Sequence, residues 1–173
     1  WRLGIRTTGF VPWHELGPDA NCENYEAISY ECLDIALGRL NIGHQQDVML
    51  DYGCGKGRVV IVAATYPFRR VVGIERAPEL SRIARANVDR ARKKLRCEEI
   101  EIVTGDAVTY AVPHDVNVIF LFNPFVGTVL SAVRDRILAS LAECPRPLTI
   151  IYMRRAQHED AFAKCDQLGK VAE

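Results

Sequence analysis

The sequence predicts an α/β domain: a doubly wound, mostly parallel sheet with helices on both faces. Three observations predict it. Short apolar runs alternate with helix-period segments from residue 46 to residue 168. The first of those runs ends in "DYGCGKGR", whose glycines suit a sharp strand-to-helix turn. The chain has 173 residues, 49% apolar and 25% charged, which is ordinary for one globular domain able to bury a core. It divides into an N-terminal arm and helix over residues 1–45 and a core over residues 46–173.

The elements follow in order. Residues 1–23 hold Gly, Pro and turn formers ("TTGFVPWHELGPDANC") and read as an irregular arm. From Asn24 to Leu40 the pattern is helical, with Ile28, Cys32, Ile35, Ala36 and Leu40 at spacings of three and four and Gly43 as the stop. "DVMLDY" reads as a buried strand, and "GRVVIVAATY", apolar on nearly all sides, as a buried helix. "RRVVGIE" is strand-like. "PELSRIARANVDRARKKL" is an amphipathic helix with Leu80, Ile83, Ala84, Val88, Ala91 and Leu95 on one face. "EIEIVTGD" and "VNVIFLFN" are strands, "GTVLSAVRDRILASLAEC" a helix, "LTIIYM" a strand and "QHEDAFAKCDQL" a short helix. Sheets of this kind bind ligands outside the carboxyl ends of their strands, so the strand ends are where function is sought.

Composition narrows the function classes. Lys+Arg and Asp+Glu stand at 22 each, so no global field gathers nucleic acid or an anionic membrane. No apolar run approaches the roughly 18 residues of a membrane span, and no membrane partner is expected. The chain opens on Trp1 rather than Met, reads as a fragment, and leaves a removed signal peptide open. Six cysteines (Cys22, Cys32, Cys54, Cys97, Cys144, Cys165) form no CxxC pair, and the four histidines do not cluster near them, so no metal site is expected. Most of the cysteines read as small buried hydrophobes in a reducing, cytoplasmic setting.

The glycine loop carries the chemistry. Asp51, Gly53, Gly55 and Gly57 spell D-x-G-x-G-x-G at a strand end. A dinucleotide loop usually reads G-x-G-x-x-G, and Arg58 stands where its third glycine would fall. A Walker loop needs G-K-[ST], which "GKG" fails. On these residues the chain resembles the class I S-adenosylmethionine (SAM) dependent methyltransferases, whose first motif is an acidic residue followed by G-x-G-x-G. The resemblance implies a Rossmann-like fold and SAM as cofactor, with the loop hugging its methionine part and ribose. A tight turn without a ligand is the plainer reading. Glu75 ends the next strand, 24 residues after Asp51, where its carboxylate can accept from two vicinal ribose hydroxyls; otherwise it is a solvated helix-start charge. In "TGDA" the resemblance gives Asp106 the adenine amino group and brings the amide of Ala107 to the ring, where a turn cap is the alternative for Asp106.

The fourth core strand ends in "LFNPF", with Asn123, Pro124 and Phe125. Amino-directed methyltransferases often read [DN]-P-P-[YFW] at this corner; this chain has one proline where that motif has two. It looks closer to bacterial methyltransferases of unassigned substrate with "GCGKGR" and "FNPF", and it is distantly similar to the non-SET histone-lysine methyltransferases. The implied function is methyl transfer to an acceptor, an amine nitrogen, in protein lysine, nucleic acid or a small molecule. The alternatives are a non-catalytic SAM-binding module and an NAD(P)-dependent oxidoreductase. Enzymes of this family usually close the sheet with an antiparallel hairpin, which is expected to be cut off because only about 20 residues follow "LTIIYM". In related enzymes an N-terminal segment folds over the cofactor as a lid. Tyr25 and Tyr30 either line such a lid or are packing residues. Lys56 and Arg58 are expected on the solvated surface rather than on the cofactor carboxylate. Residues 76–96 hold eight Lys/Arg against Glu79 and Asp89, the wet face of a helix rather than a phosphate site. His114 and Asp115 fall at the far end of the fourth strand, so no general base is evident.

Overall fold

The computed structural model describes residues 3–12, 14, 24–123, 125–153, 161–162 and 165. Two short strands, β1 (Phe10–Val11) and β2 (Tyr25–Glu26), pair antiparallel, and α1 (Tyr30–Gly38) follows. The core runs β3 (Val48–Tyr52), α2 (Arg58–Ala63), β4 (Arg70–Glu75), α3 (Pro78–Ala91, prolonged by a single 3-10 turn over Arg92–Lys94), β5 (Glu99–Thr104), β6 (Val118–Phe122), α4 (Gly127–Glu143) and β7 (Thr149–Met153).

The five core strands form one parallel sheet in the order β5-β4-β3-β6-β7. The chain winds outward from β3 to β5, then returns to β6 on the other side of β3. That reversal is the topological switch point, where a crevice opens beyond the carboxyl ends of β3 and β6. Pleating sorts the side chains: Met49, Val71 and Phe120 join Leu33, Leu37 and Val60 on one face. Leu50, Val72 and Ile119 join Leu130, Val133 and Ile137 of α4 on the other. All five residues of β3 are buried, which is why "DVMLDY" holds a short run of adjacent apolar residues.

Three expectations are corrected. The N-terminal helix begins at Tyr30, not Asn24, because Ser29 caps it: its Oγ accepts from the Cys32 amide at 3.1 Å. Ile28 precedes that cap and sits in the same apolar cluster as Leu33, the positions of a hydrophobic staple, so its spacing mimics a helix without being in one. The helix buries Leu33 and Leu37 fully and exposes Cys32 and Ile35, a face turned from the expected one. The arm is not wholly irregular, since Phe10 pairs with Glu26 and Val11 with Tyr25. Of the described cysteines only Cys54 and Cys97 are buried; Cys32 is exposed, and Cys144 and Cys165 are half-buried. Cys22 and most of the expected helix after β7 lie outside the described residues. Among the described residues no helix is long and apolar enough to cross a membrane.

Candidate functional site

Between β3 and α2 the chain reverses through Gly53, Gly55 and Gly57 at φ of +73°, +53° and +82°. Those left-handed angles strain any residue with a Cβ, so alternating glycines are required by the turn itself. The amides of Gly53 and Cys54 both donate to the Ile74 carbonyl at 2.9 Å, tying the loop to the end of β4. Gly57 starts α2 and lets it approach α3: a Cβ there would lie 3.1 Å from the Ala84 Cβ. At Gly55 a Cβ would lie 2.3 Å from Cε2 of Tyr25, whose ring covers the loop.

Two buried carboxylates stand near the carboxyl ends of the adjacent strands β3 and β4. Glu75 is 9% exposed, and its Oε2 accepts from the Gly55 amide and its Oε1 from the Ala77 amide, each at 2.8 Å. Burial pushes its carboxyl up, against the pull of the Ala77, Gly55 and Arg76 amides. Asp51 is 2% exposed, and its Oδ2 has no hydrogen-bond partner. Burial first, and the Glu75 charge second, push it well above the usual carboxylate range. Asp106 follows Gly105 beyond β5; its Oδ1 accepts from the Val108 amide at 2.9 Å and so caps a turn. Ala107 beside it is buried.

At the end of β6, Asn123 has φ +42° and donates its amide to the Met153 carbonyl at 2.8 Å. Phe125 is buried, its ring edge-on to Tyr52 with centroids 6.4 Å apart. Pro124 lies outside the described residues. One cleft brings Tyr25, Asp51, Gly53, Glu75, Asp106, Ala107, Asn123 and Phe125 together; its lining includes neither Gly55 nor Gly57. Ile74, Ala77 and Leu80 add an apolar wall.

The sequence reading missed one side of this cleft. Asn24, Glu26, Ala27 and Ile28 line it because the arm folds back over the glycine loop, a long-range event without a local signal. Arg58 is corrected from a surface residue to a buried one: it is 8% exposed, donates from Nε to Thr7 Oγ1 at 2.8 Å and from Nη1 to the Ile28 carbonyl at 2.5 Å, and lies over the Tyr30 ring. Tyr30 is therefore a packing residue. Tyr25 donates its hydroxyl to the Thr7 carbonyl at 2.6 Å, and burial raises that hydroxyl to about 12. Asn87, fully buried on the apolar side of α3, was also missed; a lone amide on such a face was the available signal. The basic run is exposed, and part of it serves the fold: Arg82 pairs with Glu79, Arg85 binds Ile102 O and Thr104 Oγ1, and Arg92 binds Glu98 O. Asp115 pairs with Arg69 and Arg70, and His114 with Glu143, all distant from the cleft.

The model of a family described as a methyltransferase domain matches residues 49–147, which span β3 to the loop after α4. The chain belongs to that methyltransferase family. An RNA methyltransferase from Salinibacter ruber, solved with S-adenosyl-L-homocysteine (SAH), is 27% identical, with a TM-score of 0.55 over 66% of this chain and 70% of that one. A precorrin 8w decarboxylase from Methanobacterium thermoautotrophicum is 23% identical, with a TM-score of 0.56 over 79% and 68%. A SAM-dependent methyltransferase from Thiobacillus denitrificans, also solved with SAH, is 19% identical, with a TM-score of 0.54 over 71% of this chain and 47% of that one. No curated protein sequence matches. The protein is thus a SAM-dependent methyltransferase with a Rossmann-like fold. The oxidoreductase and the non-catalytic module give way to that assignment. The cleft of this methyltransferase fits its cofactor: the orphaned Asp51 Oδ2 and the Glu75 carboxylate offer acceptors to hydroxyl and ammonium donors, and the apolar wall suits a purine ring.

Proposed function

We propose that this methyltransferase moves the methyl group of SAM onto an amine nitrogen. In this reading Asp51, Gly53, Gly55, Gly57, Glu75, Asp106, Ala107 and Tyr25 hold the cofactor, and Asn123, Pro124 and Phe125 receive the amine. The observation that carries it is Asn123, held at φ +42° where β6 enters the cleft beside the buried Phe125. Backbone strain of about 1–3 kcal/mol in a residue with a side chain persists where its surroundings over-determine it, and such sites cluster at active centres. The Asn123 carbonyl oxygen accepts an N–H from the amine and so orients its lone pair, while Phe125, braced by Tyr52, walls the acceptor. Bound SAM supplies a methyl already activated as a sulfonium, so the chain contributes orientation more than acid–base chemistry. Backbone amides fix the Glu75 carboxylate at the cleft wall, Gly55 on Oε2 and Ala77 on Oε1, where it accepts from a ribose hydroxyl.

Residues 1–45 form the lid of this site and residues 46–173 its core. Free thiols at all five described cysteines support a cytoplasmic setting. The acceptor belongs to protein lysine, nucleic acid or a small molecule; the likeness to an RNA methyltransferase puts RNA among the fractions to examine. The test is tritium transfer from SAM into a cell extract, separated into protein, RNA and small molecules. N-methyl label survives mild alkali, and Asn123→Ala lowers transfer about 100-fold with SAM affinity within about 3-fold of wild type. Label released by alkali, or full transfer by Asn123→Ala, refutes the amine reading.

A further inference from the structure

Three consecutive arm residues are tied to the glycine loop and the helices beside it. Arg6 exchanges both backbone groups with the Asn87 side chain: its amide donates to Oδ1 at 3.0 Å and its carbonyl accepts from Nδ2 at 3.1 Å. The same Nδ2 donates to the Lys56 carbonyl at 3.0 Å, so one amide joins arm, loop and α3. Thr7 accepts from Arg58 at Oγ1 and from the Tyr25 hydroxyl at its carbonyl. Thr8 accepts from Lys56 Nζ at 3.0 Å, and that ammonium lies 4.8 Å from the Tyr25 ring centroid. Thr7 is 1% exposed although it belongs to no helix or strand.

Arg58 is the hinge of this arrangement. A buried guanidinium is costly unless its donors are matched. Both of its hydrogen bonds described here end on the N-terminal segment, at Thr7 and Ile28, and none on the core. Releasing the segment takes both of these acceptors from a guanidinium one residue from Gly57. The docked segment also sets Tyr25 against Gly55 and Ile28 at the cleft wall.

We infer that Thr7 and Arg58 are positioning residues for the cofactor: they clip the N-terminal segment onto the glycine loop, so that docking of the arm and binding of the cofactor are one coupled equilibrium. The inference rests on the cofactor lying in the cleft proposed above. A ligand that binds only the clipped form has its affinity reduced by the fraction of protein that is unclipped.

The test uses Thr7→Val, which keeps shape and removes the acceptor, with Thr7→Ser as the variant that restores it. SAH binding is measured by calorimetry, thermal unfolding is followed without ligand, and amide exchange of residues 3–8 is measured with and without SAH. Thr7→Val is expected to weaken SAH roughly 10- to 100-fold, the range for a lost hydrogen bond to a charged donor. Thr7→Ser returns affinity to within about 3-fold of wild type, and SAH slows exchange across residues 5–8 in wild type. A Thr7→Val protein that melts earlier yet binds SAH like wild type has lost only structure, and overturns the inference. So does exchange in the arm that is indifferent to SAH. If Glu75→Ala still weakens SAH while Thr7→Val does not, the clip alone fails; if neither variant changes the affinity, the cleft reading fails and takes the clip with it.

Discussion

Replacing Asp51 with asparagine is expected to stabilise the ligand-free protein and to weaken SAM binding, two effects of opposite sign from one isosteric change. Asp51 is 2% exposed, its Oδ2 lacks a partner, and Glu75 stands near enough to raise its titration. An unsatisfied buried acceptor costs about 1–3 kcal/mol, and more when charged. Asparagine keeps the volume and cannot ionise, so it avoids the cost that burial and Glu75 place on a carboxylate here, and a gain of about 1–2 kcal/mol follows at neutral pH. For a chain of this size each kcal/mol shifts Tm by about 2–4 °C, which puts the rise at about 2–8 °C. The pH dependence fixes the cause. A carboxyl whose folded value is raised contributes fully to stability below its unfolded value, about 3.9, and that contribution is lost as pH rises through the folded value. The advantage of asparagine is therefore present at neutral pH and fades on acidification toward pH 4. Binding is expected to move the other way, because on the proposed reading a carboxyl acceptor for the cofactor is gone: about 1.5–3 kcal/mol, or 10- to 150-fold in Kd. Differential scanning calorimetry from pH 4 to 8 and isothermal titration with SAM measure both. A variant that melts lower at neutral pH and binds SAM unchanged refutes the reasoning.

Glu75→Ala orphans the amides of Gly55 and Ala77, so it is expected to lose about 2–4 kcal/mol of stability in denaturant titration as well as SAM affinity; a folded variant with wild-type affinity shows that the ribose is held elsewhere. Gly55→Ala forces a Cβ to 2.3 Å from Tyr25 at φ +53°, and SAM affinity should fall at least about 10-fold. Adding Tyr25→Ala should relieve part of that loss, a non-additivity read from the double-mutant cycle. Simple additivity of the two substitutions rejects the contact as its cause.

The legible part of the molecule is the part specified locally. Buried parallel strands are largely apolar runs, so β3, β4 and β6 stand out in the sequence, and the cleft residues Asp51, Glu75 and Asn123 lie at or within one residue of their ends. Strand ends and the turn glycines beside them are short-range features, and the switch-point rule converts them into a site. What depends on distant pairing was not legible. Tyr25 lies on β2 because Val11 pairs with it across 14 residues, and Arg58 is buried because Thr7 comes back across 51. From composition alone an arginine beside a glycine loop belongs on the surface; only the returning arm reverses that.

The placement of buried polar groups explains why the arm matters. Among the described residues the buried polar and charged side chains are Thr7, Asp51, Arg58, Glu75, Ser81, Asn87 and Ser140. Ser140 bonds the Val112 carbonyl beneath α4. The other six lie around the glycine loop: Ser81 binds the Glu75 carbonyl, Asn87 the Lys56 carbonyl, and Thr7 the Arg58 guanidinium. A sheet packed on both faces has no structural need for two carboxylates and a guanidinium at one end, since apolar residues would close it with less desolvation. Folded chains break the apolar-core rule chiefly where a ligand must be met, and compensate with hydrogen bonds nearby. Here Glu75 and Arg58 have that compensation while Asp51 Oδ2 does not. On the proposed reading the unbalanced acceptor is the one the cofactor satisfies, which is why its neutralisation should separate stability from binding.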